Sequence, residues 1–236
     1  MDNTTVAAGA GRILLFAGAI IAAGLAHAED PKTPYPSMLP LDQYLMPDRQ
    51  AEIRLARTAA PSAISEHAAV LVLSRHGYEE AVKGSNGFTC IVERSWMSPM
   101  SNAGFWNPKN RSPICYNPPA TRSILPYTIK ITELAIARLS KNQINDRIHA
   151  IVARKELPLP EPGAMSYMMS KEGYLGDDVG HWHPHLMFHI PKTDPASWGA
   201  NLHGSPVVLD PSELAEPETI FMIPVGTWSD GTPFVS

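Results

Sequence analysis

Proline is the residue that most constrains what this chain can fold into. All 23 prolines lie from Pro31 to Pro233, at about twice the density typical of globular proteins. Because proline breaks helix interiors and removes a donor from strand ladders, long helices are disfavoured, and short strands, turns and ordered loops are favoured. The hydrophobic content of 44% argues against general disorder.

The N-terminus has the pattern of a cleavable secretory signal peptide. Arg12 is followed by an uncharged small and apolar stretch that ends in Ala26-His27-Ala28, the small-x-small pattern that signal peptidase cuts. The stretch is shorter than the roughly 20 residues that a spanning helix needs, although an uncleaved anchor is the alternative. We therefore predict a signal peptide at 1–28 and a single exported domain at 29–236, located in the periplasm or outside the cell.

Charge and hydropathy exclude some classes of partner. The net charge of −4 gives no reason to expect nucleic acid or an anionic membrane as partner. No later segment is apolar enough to span a membrane, so no transmembrane anchor is expected after cleavage. A small molecule or an envelope component is left open as the partner.

The chain has two cysteines, Cys90 and Cys115. In an oxidising compartment an isolated pair of this kind most often forms a disulfide, which we predict here. Two separate buried thiols are the alternative.

Apolar and alternating runs predict strands in two groups. The first group is a three-stranded antiparallel meander near 69–93, with a turn at 83–87. The second set lies near 165–225 and comprises the runs 166–170, 181–190, 207–209 and 219–225.

Two short helices are also indicated. One lies between Pro47 and Pro61, and another begins at Ser140, which forms a capping-box pattern with Gln143. The predicted fold class is therefore α+β, with antiparallel strands in two groups and a few short helices.

Residues 94–126 show no hydrophobic period, and they contain several aromatic residues and prolines. We predict a long loop here, with Cys115 attaching it to the meander. A non-catalytic exported protein that binds a partner through this Trp- and Pro-rich loop is one functional alternative.

The most distinctive segment runs from His181 to His189 and holds four of the nine histidines. On a strand, alternate side chains share a face. One face would carry His181, His183, His185, Met187 and His189, and the other Trp182, Pro184, Leu186, Phe188 and Ile190. The apolar face should pack on a core, which leaves the histidine face to solvent or to a lined site.

Such a histidine face is suited to metal binding. Alternate strand positions lie about 6.6 Å apart, so His183 could share one ion with His185 or with His181. Asp177, Asp178, Met187 and His203 are possible additional ligands, beside His189 further along the strand. A thioether suits copper, whereas imidazole with carboxylate suits zinc or iron, so we predict a divalent transition metal of one of these kinds. A solvated or hydrogen-bonded histidine face and histidine catalysis without metal are the alternatives.

Two family resemblances rest on the histidine run. His181-x-His183-x-His185 followed by Leu-Met resembles the signature of the histidine-triad nucleotide hydrolases and transferases, which implies that His183 attacks phosphorus. The same run is loosely similar to the first cupin motif, where His-x-His and a later Glu bind metal, but His189 stands at the position of that Glu.

Arg75-His76-Gly77 resembles the histidine acid phosphatase signature, which implies that His76 accepts a phosphoryl group. A hairpin turn at Gly77 explains the same residues. No Gly-x-Ser-x-Gly motif occurs, so the sequence gives no support for a serine hydrolase. Whether the protein is an enzyme stays open.

The signal-peptide pattern gives a direct test. We expect the protein secreted by an exporting host to begin at Glu29, because Ala26-His27-Ala28 is the one small-x-small site directly after the apolar stretch. N-terminal sequencing checks this, and secreted protein that begins at Met1 would contradict it.

Overall fold

The computed structural model describes residues 1, 34–177, 179–181, 183–209 and 218–235. The predicted signal peptide boundary, Asp178 and Trp182 lie outside the described residues. Among the described residues, no helix has the length and hydropathy needed to cross a membrane.

The part of the chain that the structure describes contains five α-helices, with the bounds α1 Arg49–Arg57, α2 Ser62–Ser65, α3 Pro118–Ser123, α4 Leu125–Ile136 and α5 Lys141–Ala153. Helix α1 begins where Asp48 Oδ1 accepts a hydrogen bond from Gln50 N at 2.8 Å. Helix α5 begins with the predicted capping box, in which Ser140 and Gln143 each accept from the other's backbone N–H. Both predicted helices are therefore confirmed.

Within the described ranges, eight strands form one mostly antiparallel sheet in the order β2-β1-β3-β4-β5-β6-β8-β7. The strands are β1 Ala69–Ser74, β2 Gly77–Val82, β3 Thr89–Glu93, β4 Ser112–Tyr116, β5 Met165–Met168, β6 His185–Pro191, β7 Val208–Leu209 and β8 Glu218–Pro224. The fold class is α+β, as predicted. The two predicted groups of strands belong to the same sheet.

The predicted meander near 69–93 has the wrong strand order. β1 pairs with β2 antiparallel, but it pairs with β3 in parallel, through Ala69 and Val70. Burial explains the difference, because every residue of β3 is buried, whereas Glu79 and Glu80 of β2 are exposed. A strand with exposed charged residues on both faces suits the edge of the sheet, and a strand buried on both faces suits its interior.

The prediction of a continuous loop at 94–126 is also wrong. Strand β4, helix α3 and the start of α4 lie in this region, and β4 joins the two groups of strands by pairing with β3 and β5. Its sequence shows no clear period because both faces of β4 are buried, so polar and apolar residues do not alternate.

The disulfide is confirmed. Cys90 of β3 and Cys115 of β4 are directly paired in register, bonded to each other and fully buried. They lie on the sheet face that packs against α1, with Val72 and Val92. The opposite face, which carries Ile91, Ile114 and Tyr116 of β3 and β4, packs against α3 and the start of α4.

A buried ion pair connects α1 to the end of β3. Arg94 Nη2 lies 2.9 Å from Glu52 Oε1, and both side chains are almost completely buried. Glu52 Oε1 also accepts from Leu73 N at 3.1 Å, while Arg94 donates to the carbonyls of Tyr44 and Val92. These contacts join the N-terminal segment, α1, β1 and β3.

We expect Glu52→Ala to lower the free energy of unfolding by about 3–5 kcal/mol, because it leaves the Arg94 guanidinium buried without its carboxylate. Urea unfolding of oxidised protein, followed by tryptophan fluorescence, measures this. Arg75→Ala is the control, since the Arg75–Asp42 pair is exposed and should matter little. An unchanged urea midpoint for Glu52→Ala would contradict the central role of this pair.

Candidate functional site

The histidine run forms a shorter strand than predicted. β6 begins at His185, so His181 and His183 precede it, and both are exposed. Within β6, His185, Met187 and His189 share a face, as predicted, and all three are buried. Leu186, Phe188 and Ile190 are only half-buried.

The histidine face is thus the more deeply buried face of β6. The sequence left two possibilities for this face, exposure to solvent or a lined site. In the structure, this face of β6 lines a cavity. Helices α3 and α4 and residues 97–102 cover this face. They are far from β6 in the sequence, so the residue pattern within β6 does not reveal that this face is buried.

The cavity has a volume of about 230 Å³. Its floor is the sheet face formed by β3, β4, β5, β6 and β8, and its cover comes from α4, the segment 97–102, Leu175 and Val179. Much of its wall is apolar and rich in methionine, with Met97, Ile114, Met168, Met187, Ile220 and Met222. The polar groups on the wall include Glu93, Tyr116, His185, His189 and Glu218.

Three side chains on this face of the sheet form a continuous hydrogen-bonded chain, in which His189 and Glu218 line the cavity and Ser166 does not. Ser166 Oγ on β5 lies 3.0 Å from His189 Nε2 on β6, and His189 Nδ1 lies 2.9 Å from Glu218 Oε2 on β8. The His189 and Glu218 side chains are 2% and 4% exposed, and Ser166 is fully buried. The three residues come from three adjacent strands and are brought together by the sheet register.

The hydrogen bonds define the roles of these groups. The Glu218 carboxylate accepts, so His189 Nδ1 carries the proton, and the lone pair of the neutral ring is on Nε2. In the neutral ring, Nε2 therefore accepts a hydrogen bond from the Ser166 hydroxyl. This is the arrangement of a nucleophile, a general base and an orienting carboxylate.

A second carboxylate lines the same cavity in a different environment. The Tyr116 hydroxyl donates a hydrogen bond to Glu93 Oε1 at 2.5 Å, and Thr128 Oγ1 lies 2.9 Å from the Tyr116 hydroxyl. Burial, and then the charge of Glu93, raise the pKa of Tyr116 well above its usual value. The Tyr116 and His189 ring centroids are 6.4 Å apart, which places this group beside the Ser166–His189–Glu218 chain.

His185 is held as a neutral imidazole. Its Nδ1 donates to the backbone carbonyl of His183 at 2.7 Å, so its lone pair is on Nε2. Burial lowers the pKa of His185 to about 4. The ring is therefore neutral across the physiological pH range.

Of the other residues predicted for the metal site, none of the described ones lines this cavity, although His183 and His185 both line a smaller neighbouring pocket. The His183 ring is exposed and packs against Phe234, with centroids 4.5 Å apart. His203 is exposed in the connection before β7. Among the described residues, no group of three or more His, Cys, Asp or Glu side chains is close enough to hold a metal ion.

Asp177 is exposed and has other contacts. It accepts hydrogen bonds from the Tyr35 and Tyr174 hydroxyls and lies 3.5 Å from Lys109 Nζ. The hydrogen bond from Tyr174, followed by that from Tyr35, lowers the pKa of Asp177 to about 2.

Two other predicted positions have structural explanations. His76 is exposed in the turn between β1 and β2, where Gly77 has φ +116°, as the hairpin interpretation predicts. Trp96, Phe105 and Trp106 of the Trp- and Pro-rich region are buried and belong to a core cluster with α4 and α5. These three aromatic side chains therefore do not form a partner-binding surface.

Ser166, Glu218, Glu93 and Tyr116 were not identified from the sequence. Ser166 lies 23 residues before His189, and Glu218 lies 29 residues after it. No short motif spans such separations. The strand alternation that placed Met187 with His189 is the one sequence signal that could have grouped Ser166 with Met168.

Comparisons with known proteins leave the function to be argued from this geometry. No family model, no curated protein and no solved structure matches the chain.

Proposed function

We propose that this protein is an extracytoplasmic hydrolase that cleaves small, largely apolar acyl esters in the cavity. The observation that carries the proposal is the hydrogen-bonded chain from Ser166 Oγ through His189 to Glu218. Each hydrogen bond uses the ring nitrogen that nucleophilic catalysis requires.

The chemistry follows from these positions. Ser166 Oγ attacks the ester carbonyl carbon while its proton passes to His189 Nε2, and Glu218 stabilises the imidazolium that forms. His189 then donates the proton to the departing alkoxide, which leaves as an alcohol. Water, deprotonated by His189, then attacks the carbonyl carbon of the acyl–serine ester. The bond from that carbon to Ser166 Oγ breaks, the acid leaves, and His189 returns its proton to Ser166 Oγ.

Access to Ser166 depends on its neighbours. Ser166 is fully buried, and it pairs with Tyr116 on one side and Met187 on the other, both of which line the cavity. The Tyr116 hydroxyl is held by Glu93, whereas Met187 has a flexible, unbranched side chain. A substrate therefore reaches Ser166 Oγ by displacing the Met187 side chain.

The cavity also limits the substrate. A cavity of about 150 Å³ holds a benzene-sized ligand, so about 230 Å³ suits a somewhat larger group. Its methionine and isoleucine walls favour an aliphatic acyl chain. Action outside the cytoplasm is supported by the N-terminal sequence pattern and by the Cys90–Cys115 disulfide, a bond typical of oxidising compartments.

The test is ester hydrolysis and covalent labelling of protein spanning 29–236. We expect wild type to hydrolyse p-nitrophenyl butyrate, and a fluorophosphonate probe to label Ser166, identified by peptide mass spectrometry. Ser166→Ala and His189→Ala should each lower kcat/KM by about 10³-fold or more, because the two residues act as a unit. Glu218→Gln should lower kcat, since it loses the charge that orients and stabilises the imidazolium.

Matched controls separate chemistry from stability. Ser123→Ala removes another fully buried serine, on α3, and His203→Ala removes an exposed histidine. Both should leave kcat/KM unchanged. Wild type that neither hydrolyses esters nor reacts with the probe contradicts the proposal. Full activity in Ser166→Ala combined with its loss in His189→Ala rejects Ser166 as nucleophile.

Metal binding by the histidine run stays a prediction. The backbone carbonyl of His183 accepts a hydrogen bond from His185 Nδ1, and the His183 ring packs against Phe234, so a pairing of His183 with His185 would have to use His185 Nε2. Zinc titration of wild type and His183→Ala by calorimetry tests that pairing directly. Equal uptake by both proteins would exclude His183 as a ligand.

A further inference from the structure

We propose that His185, Met168, Met187 and Met222 form a binding site for a monovalent copper ion, Cu(I), on the cavity wall. The proposal is independent of ester hydrolysis. It also differs from the predicted histidine site, because three of its four donors are methionine sulfurs and His183 is not among them.

The sheet register places the four side chains on one face of three adjacent strands, with Met168 and Met222 on opposite sides of β6. Met168 of β5 is paired with His185 of β6, and Met187 of β6 is paired with Met222 of β8. All four line the same cavity. Directly paired side chains on one face have Cβ atoms about 4.5–5.5 Å apart, and diagonal neighbours are still within reach of long side chains.

Flexibility allows these donors to converge. Methionine has three rotatable side-chain bonds before its terminal methyl group, so its sulfur can move by several ångströms without a change of backbone. His185 supplies the fixed point, because its Nδ1 is held by the His183 carbonyl at 2.7 Å and its lone pair is on Nε2. Metal-ligating histidines typically have their second ring nitrogen held in this way.

The chemistry of the donor set selects the ion. Thioether and imidazole ligands suit Cu(I), whereas magnesium, calcium and manganese prefer oxygen ligands. The four donors are uncharged, so they do not neutralise a bound cation. Because the electrostatic cost of burying an ion rises steeply with its charge, such a set suits a monovalent ion better than a divalent one.

A purely packing role is the competing explanation, since methionine also fills irregular gaps in cores. Leucine substitutions distinguish the two, because leucine keeps most of the volume and hydrophobicity of methionine but has no sulfur. Met46→Leu is the matched control. Met46 packs with α1 on the opposite face of the sheet and does not line the cavity.

The experiment is anaerobic competition between the protein spanning 29–236 and bathocuproine disulfonate for Cu(I). We expect wild type and Met46→Leu to bind one ion per chain with equal affinity. Met187→Leu/Met222→Leu should bind at least tenfold more weakly, with unchanged circular dichroism. Measuring Ser166→Ala in parallel separates the proposals, because loss of the nucleophile should leave copper affinity unchanged.

X-ray absorption of copper-loaded wild type provides a second measurement that needs no variant. Sulfur scatterers together with an imidazole nitrogen are expected. Equal affinity in wild type and the double leucine variant, a spectrum without sulfur scatterers, or zinc binding as tight as copper binding would each overturn the proposal.

Discussion

The Glu52–Arg94 ion pair is the interaction on which the arrangement of the cavity depends. Arg94 directly follows Glu93, the carboxylate that holds Tyr116, and its guanidinium is held by Glu52 of α1 and by the Tyr44 and Val92 carbonyls. A buried charge without its partner costs several kcal/mol, so these contacts strongly favour a single position for the end of β3. The same residue leads into the 97–102 segment that covers the cavity. One buried cation thereby positions both a wall residue and part of the cover.

Burial of polar groups explains why the cavity has a defined chemistry. A buried donor or acceptor without a partner is costly, and the floor meets this requirement with two separate hydrogen-bonded groups. His189 is satisfied by Ser166 and Glu218, while Tyr116 is satisfied by Glu93 and Thr128. Packing requirements alone would be met more simply by apolar residues of similar size. Two carboxylates in distinct environments, one on an imidazole and one on a phenol, are a known basis for distinct acid–base roles.

The sequence predicted the local features and missed those that depend on sheet register. The capping box at Ser140, the disulfide and the common face of His185, Met187 and His189 depend on short-range spacing or on residue type, and all three are confirmed. The alternation of histidine and apolar residues in β6 does not show which face is covered, because the covering helices are far from β6 in the sequence. Strand β4 was missed because both its faces are buried and no period results. Ser166 and Glu218 join His189 through strand pairing, which no single-sequence pattern specifies.

Met187 takes part in both of the functions proposed for the cavity. It is paired with Ser166 on one neighbouring strand and with Met222 on the other, so its side chain lies between the proposed nucleophile and the other sulfur donors. Ester hydrolysis needs this side chain to move away from Ser166, whereas copper binding needs its sulfur to stay beside His185 and Met222. One side chain cannot meet both demands at once. The proposed copper ion and the proposed substrate would therefore compete for the conformation of Met187, although they would contact different atoms of the protein.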